Sequence, residues 1–232
     1  MIIIPAAGHG RRFQEAGFFV PKPDIPLGGR KMIERVAENV EWLDPDGELV
    51  IATQDVVGPT SGAVETIHRA LQMHPLKPFE QLVIANCDQL IRWQGDEHTY
   101  LAQSPSLSAA VGDGWLATFP SQEEAHSYVM TDSFGRIRAI VEKQVVSTMA
   151  VSGVYAFRSA LRVKDALEQV LSRPTGSELY LSSAIELLLY EGMTLYSAPR
   201  PTAILGTPED VQRFDVAYQI AAAEVCHDRG VC

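Results

Sequence analysis

An α/β fold with a mostly parallel sheet flanked by helices is predicted by three features of this sequence. Short, apolar, β-branched segments alternate with amphipathic stripes through the first half, the pattern of successive strand–helix units. A length of 232 residues suits one large α/β domain. An apolar fraction of 46% is that of a chain with a full core.

The elements follow in order. Met1 to Pro5 is short, β-branched and uninterrupted, which predicts a buried strand. Lys31 to Trp42 predicts a helix, because Met32, Ile33, Val36, Val40 and Leu43 form one stripe. Leu49 to Thr53 is a second strand, and Ser61 to Met73 a second helix with Ser61 as its N-cap. Gln81 to Ala85 is a third strand, running into Asn86-Cys87-Asp88-Gln89. From Leu107 the texture changes. Strands are predicted at Leu116–Phe119, Ser127–Thr131, Arg136–Glu142 and Val151–Phe157, with a hairpin turn at Asp132–Gly135. Helices follow at Ser159–Leu171, Leu181–Tyr190 and Pro208–Val225, with a last strand at Met193–Ser197. No flexible linker interrupts the chain, so 1–232 reads as a single domain with two lobes, 1–106 and 107–232.

Composition excludes several functions. A net charge of -10 argues against a nucleic-acid partner, whose phosphates need a basic face. It leaves room for a small phosphorylated ligand, since a few local cations suffice. No run approaches the ~18 apolar residues that span a membrane, and no signal peptide is expected at the N-terminus. Cys87, Cys226 and Cys232 lack CxxC spacing, which predicts free thiols in a reduced, cytoplasmic protein. Trp42, Trp93 and Trp115 read as packing residues.

The chemistry concentrates at the amino end. After the first strand comes Ala6-Ala7-Gly8-His9-Gly10-Arg11-Arg12-Phe13, and then Pro21-Lys22-Pro23. A glycine turn leading into a helix presents backbone N–H groups to phosphate. Arg12 and Lys22 add positive charge in an otherwise acidic chain, so the segment reads as a grip on a nucleoside triphosphate. The GxG alone is equally a tight turn. Phe13 stands where a dinucleotide fingerprint needs its third glycine, and the Walker pattern is absent. His9 is expected to point into solvent.

The segment Gly8-His9-Gly10-Arg11-Arg12-Phe13 with Pro21-Lys22-Pro23 resembles the signature of the sugar-phosphate nucleotidyltransferases. Further matches occur in order: Ser61-Gly62-Ala63, Ala85-Asn86-Cys87-Asp88-Gln89, Val141-Glu142-Lys143, the strand Val151 to Phe157, Ser177 to Ser182, and Leu205-Gly206-Thr207-Pro208-Glu209-Asp210-Val211. The resemblance implies a GT-A-like, Rossmann-like fold with a nucleotide-binding lobe and a mixed-strand acceptor-binding lobe. It implies transfer of NMP from an NTP to a phosphorylated small molecule, usually a sugar 1-phosphate, with release of pyrophosphate. The branch it fits best tends to accompany surface-polysaccharide genes, and family members often associate through helices outside the core.

Residue roles implied by the resemblance are these. Ala6, Ala7, Gly8, Gly10, Gly62 and Asn86 bind nucleotide. Arg12 and Lys22 neutralise the triphosphate, and Asp88 holds Mg2+ (or Mn2+). Lys143 grips the acceptor phosphate, while Tyr128, Glu142, Val151, Gly153 and Glu178 line the acceptor pocket. Taken alone, Asp88 also reads as a loop cap, Glu142-Lys143 as an exposed ion pair, and Arg11-Arg12 as a solvated pair. One position departs from the pattern. Ile204 stands where many members carry a second metal-binding aspartate, and isoleucine ligates nothing. Ile204 motivates one alternative, a non-catalytic nucleotide-binding module; the other is a glycosyltransferase that shares the architecture and consumes nucleotide-sugar.

Overall fold

The computed structural model describes residues 1–92, 112–173 and 179–215. The first half contains β1 (Ile2–Pro5), α1 (Arg11–Glu15), β2 (Pro26–Leu27), β3 (Arg30–Lys31), α2 (Met32–Val40), β4 (Leu49–Ala52), α3 (Gln54–Val57), α4 (Ala63–Met73), β5 (Leu82–Ala85) and β6 (Gln89–Ile91). The second half contains β7 (Gly114–Pro120), β8 (Ser127–Thr131), β9 (Ile137–Glu142), β10 (Met149–Phe157), α5 (Ala160–Leu171), α6 (Leu181–Tyr190), β11 (Leu195–Pro199) and β12 (Thr202–Ile204). Residues 208–215 are helical, while the remainder of the helix expected to Val225 lies outside the described residues, as do Trp93, Cys226, Cys232 and the 106/107 lobe boundary.

The main sheet runs β11-β7-β10-β5-β1-β4, with β8 and β9 continuing from β10. β1 pairs in parallel with both β4 and β5, and β11 in parallel with β7; β10 is antiparallel to both β5 and β7. Only β10 is therefore reversed along that path, which gives the mostly parallel sheet. Both faces are covered. Ile3, Leu82, Ile84, Tyr155 and Phe157 face a core shared with α4, α5 and α6. The alternate residues Ile2, Ile4, Val83, Ala85, Val154 and Ala156 face a second core with α2. Period-2 alternation on a sheet buried on both sides explains why these strands read as unbroken apolar runs. A third cluster, with Phe13, Ile25, Leu27, Met32, Leu205 and Val211, ties the amino-end loop to the chain after β12. Trp115 is buried, and Trp42 packs against the α2 core with its indole N–H donating to Asn39 O at 3.0 Å.

Several boundaries differ from expectation. α2 stops at Val40, and a 3-10 turn covers Glu41–Leu43, because Pro45 bars Asp44 from helical backbone. Ser61 is not the N-cap of α4. Gly62 takes that position, and Ser61 instead donates from its N–H and hydroxyl to Glu65 at 2.8 and 2.7 Å. β11 begins two residues later than expected. Met193 N–H donates to Leu188 O and Gly192 N–H to Leu189 O around a left-handed Gly192, so a Schellman motif holds Met193 at the end of α6. The Asp132–Gly135 turn forms as expected, with Asp132 Oδ1 accepting from the N–H groups of Phe134 and Arg136. The short pairs β2–β3 and β6–β12 were not expected from the sequence.

Candidate active site

The carboxyl ends of the parallel strands β1, β4 and β5 lie side by side, where open α/β sheets bind ligands. β1 delivers Ala6 to Gly10, and β5 delivers Asn86 to Asp88. A cavity of about 180 Å3 there is lined by Ala6, Gly8, Gly10, Lys22 and Cys87, with Ala63 and Thr66 from the first turn of α4. On the other side of Gly8, a second cavity of about 410 Å3 includes His9, Phe18 and Gln54. His9 is exposed, as expected, and it also borders this cavity.

Each glycine of the loop has a different reason. Gly10 is left-handed, at φ +61°, and a Cβ on it would meet Lys22 Cβ at 3.0 Å. This turn therefore presses directly against the lysine. Gly8 has no positive φ, and a Cβ on it would meet nothing within 4 Å. Gly62, the uncapped N-cap of α4, is extended at φ 163°, again with nothing within 4 Å. The fold itself does not demand glycine at either place. Ala6 and Ala7 are buried, and Ala7 O accepts from Gln54 Nε2 at 3.0 Å.

Lys22 Nζ pairs with Asp88 Oδ2 at 2.5 Å, both side chains being largely buried. The ammonium also lies 5.5 Å from the Phe13 ring centroid. Burial opposes the charge on Lys22, but Asp88 and Cys87 beside it hold its pKa above the ordinary lysine value, against a counter-push from Arg12. Lys22 is therefore cationic throughout the neutral range. Burial, and next Asp88, push the Cys87 thiol up to about 11, so it lines the cavity as an unreactive, protonated group. Arg12 is exposed on α1.

Asp88 fits a hard cation only in part. It contributes one carboxylate, and β12 sets Ile204 opposite Gln89, with Leu205 N–H donating to Asp88 O at 2.8 Å. The departure seen in the sequence thus falls next to Asp88. Asp210 lies nearby, but its Oδ2 accepts from Thr207 N–H and Oγ1 at 3.0 and 2.9 Å. No group of three or more His, Cys, Asp or Glu suited to a metal occurs among the described residues. Such a donor set suits an ion carried chiefly by phosphate oxygens and water, as Mg2+ tolerates, rather than a protein cage.

A second group of polar residues lies at the far end of β9. Ser127 and Ser182 hydroxyls donate to Glu142 Oε2 at 2.5 and 2.7 Å, which fixes that carboxylate. Lys143 is left-handed at φ 53°, an uncommon backbone for a lysine, and its ammonium bonds the Tyr180 hydroxyl and lies 4.5 Å from the ring centroid. Burial, then Glu142, then Asp88 raise the Tyr155 phenol above its ordinary pKa.

The structure separates the remaining expected site residues. Gly153 and Asn86 meet, Asn86 N–H donating to Gly153 O at 2.8 Å. Tyr128 is fully buried in β8, its hydroxyl donating to Glu123 O at 2.8 Å, and Val151 packs in the core below the sheet. Both are inner-face strand residues, which a motif read linearly does not reveal. Glu178 lies outside the described residues. Gln54, Thr66 and Ser127 were not singled out from the sequence: Gln54 and Thr66 border the two cavities, and Ser127 holds Glu142 from the neighbouring strand.

No family model matches the chain. It is 24% identical to the bifunctional protein GlmU of Paramagnetospirillum magneticum, over 96% of its length and 51% of the relative's. It is 25% identical to GlmU of Mycobacterium tuberculosis, over 94% and 49%. The chain thus spans about half the length of the curated relatives it matches. Among solved structures it superposes on a nucleoside-diphosphate-sugar pyrophosphorylase from Vibrio cholerae with a TM-score of 0.76 at 19% identity, covering 93% and 99% of the two chains. A putative glucose-1-phosphate thymidylyltransferase from Bacillus anthracis gives 0.72 at 17%, covering 94% of each. These likenesses establish the fold.

Proposed function

We propose that the chain is a sugar-phosphate nucleotidyltransferase, transferring NMP from an NTP to a phosphorylated, hydroxylated acceptor and releasing pyrophosphate. The observation that carries this reading is the pairing of Asp88 with Lys22, which lines the cavity bounded by Gly8 and Gly10. The names of its relatives and structural neighbours, GlmU and several nucleotide-sugar pyrophosphorylases, support the same reaction class.

The chemistry suits these groups. The acceptor phosphate is already an anionic nucleophile, so no base is required. What the reaction needs is alignment of two repelling polyanions and neutralisation of the α-phosphate and leaving pyrophosphate. Lys22 and Arg12 supply fixed positive charge, and the uncapped N-terminus of α4 adds backbone N–H groups. Gly8 and Gly62 leave room for the nucleotide. Asp88 would hold Mg2+ (or Mn2+), which would screen the triphosphate charge. Lys143 would meet the acceptor phosphate, and the doubly hydrogen-bonded Glu142 would accept from an acceptor hydroxyl. The reaction belongs in the cytoplasm, among its nucleotide substrates, and its product would serve surface-polysaccharide assembly.

A pyrophosphate-release assay with ATP, CTP, GTP, UTP and dTTP, against a panel of sugar 1-phosphates with Mg2+, tests the reading. Lys22→Ala and Asp88→Ala should each lower kcat/KM by about 100-fold or more, the usual scale for removing one charge-stabilising group. Wild-type rates in both folded variants would refute the assignment.

A further inference from the structure

Gln89 follows Asp88 directly at the start of β6, and it is 9% exposed. Its amide oxygen Oε1 accepts no hydrogen bond among the described residues. A Cβ on Gly153 would meet that oxygen at 1.8 Å and Asn86 Nδ2 at 2.7 Å. The amide therefore occupies the hollow left by a residue with no side chain. Gly153 is left-handed there, at φ +77°, where the register between β10 and β7 shifts between Val151 and Tyr155. Ser152, in the same irregular stretch, is fully buried with a hydroxyl that also has no partner among the described residues. A buried polar atom left unpaired is costly, so Gln89 Oε1 beside Gly153 points to a partner brought by a ligand.

The character of that partner follows from the chemistry of that oxygen. Gln89 and Ser152 are both neutral. Gln89 Oε1 can only accept a hydrogen bond, so its partner must donate one. A carboxylate or phosphate anion has no proton to donate to it, whereas a hydroxyl or amide N–H does. We propose that Gln89 is a specificity-determining residue of the acceptor pocket, its buried amide reading an uncharged hydroxyl or amide group of the phosphorylated acceptor. This rests on the transferase reading given above.

The test measures pyrophosphate release by the full chain with the five NTPs and either glucose 1-phosphate or N-acetylglucosamine 1-phosphate. Wild type is compared with Gln89→Met, which keeps the shape, and Gln89→Glu, which adds a charge beside Asp88. Both variants should raise the acceptor KM about tenfold or more, the scale of one lost buried hydrogen bond, while the NTP KM stays within about twofold. Gln89→Met should melt no lower than wild type, because it removes an orphaned buried amide. An unchanged acceptor KM in Gln89→Met overturns the proposal and leaves the transferase reading standing. An equal rise in both KM values, the sign of general damage, overturns it too. Absence of pyrophosphate release from wild type with every pair overturns the proposal and the reading together.

Discussion

Two kinds of glycine surround the candidate site, and they answer to different demands. Gly153 serves the fold: it is left-handed, and Gln89 and Asn86 fill the place of its side chain. Gly8 and Gly62 have ordinary backbone and open space around a notional Cβ. Gly153→Ala should therefore lose about 2–4 kcal/mol in urea unfolding, the scale of overpacking joined to a strained backbone. Gly8→Ala and Gly62→Ala should stay within about 0.5 kcal/mol of wild type. Their effect should appear instead as a weaker melting-point rise with Mg-NTP, since a ligand raises the melting point only in proportion to its binding. If Gly8→Ala unfolds early and binds NTP normally, the glycine serves the chain and not a ligand. This distinction is invisible in the sequence, where all three are the same letter. The cations were legible because charge is sparse there; the orphaned amide of Gln89 was not, because only a neighbouring strand reveals it.

At the scale of elements, the segment Thr207–Asp210 shows how a motif becomes geometry. Thr207 N–H donates to Asp210 Oδ2, and Asp210 N–H donates back to Thr207 Oγ1 at 3.2 Å. That is a capping box, with Pro208 at the first helical position where its missing N–H does no harm. The helix it opens packs Val211 against Phe13 and Leu205, and Leu205 N–H reaches Asp88 O. Thr207→Ala should lower stability by about 1 kcal/mol in urea unfolding; a smaller loss than about 0.3 kcal/mol would show that the cap is dispensable. The helices α4, α5 and α6 were legible because each is long enough to show a helical stripe, and β1 and β5 because each is a short, unbroken, β-branched run. The strands β2, β3, β6 and β12 were not, since two or three residues contain no measurable period. β11 slipped by two residues because a glycine-based helix ending took Met193.

On the scale of the molecule, the reversed strand β10 does the joining. β10 pairs with β5 from the first half and with β7 and β8 from the second, so one sheet carries both polar groups. Asp88 follows β5 and Glu142 ends β9, and β10 with β8 lies between those two strands. An acidic chain of net charge -10 thereby gathers Lys22 and Arg12 at one corner, where a polyanion would otherwise be repelled. Alternation of strand and helix made the parallel half predictable. The reversal of β10 was not predictable, because pairing between distant strands has no local signature. The most direct measurement is a crystal structure with a non-hydrolysable NTP and Mg2+. The account predicts its triphosphate against the Gly8–Gly10 loop and Lys22, with the Lys22–Asp88 pair opened around the phosphates and ion. A triphosphate bound elsewhere, with that pair still closed, would contradict it.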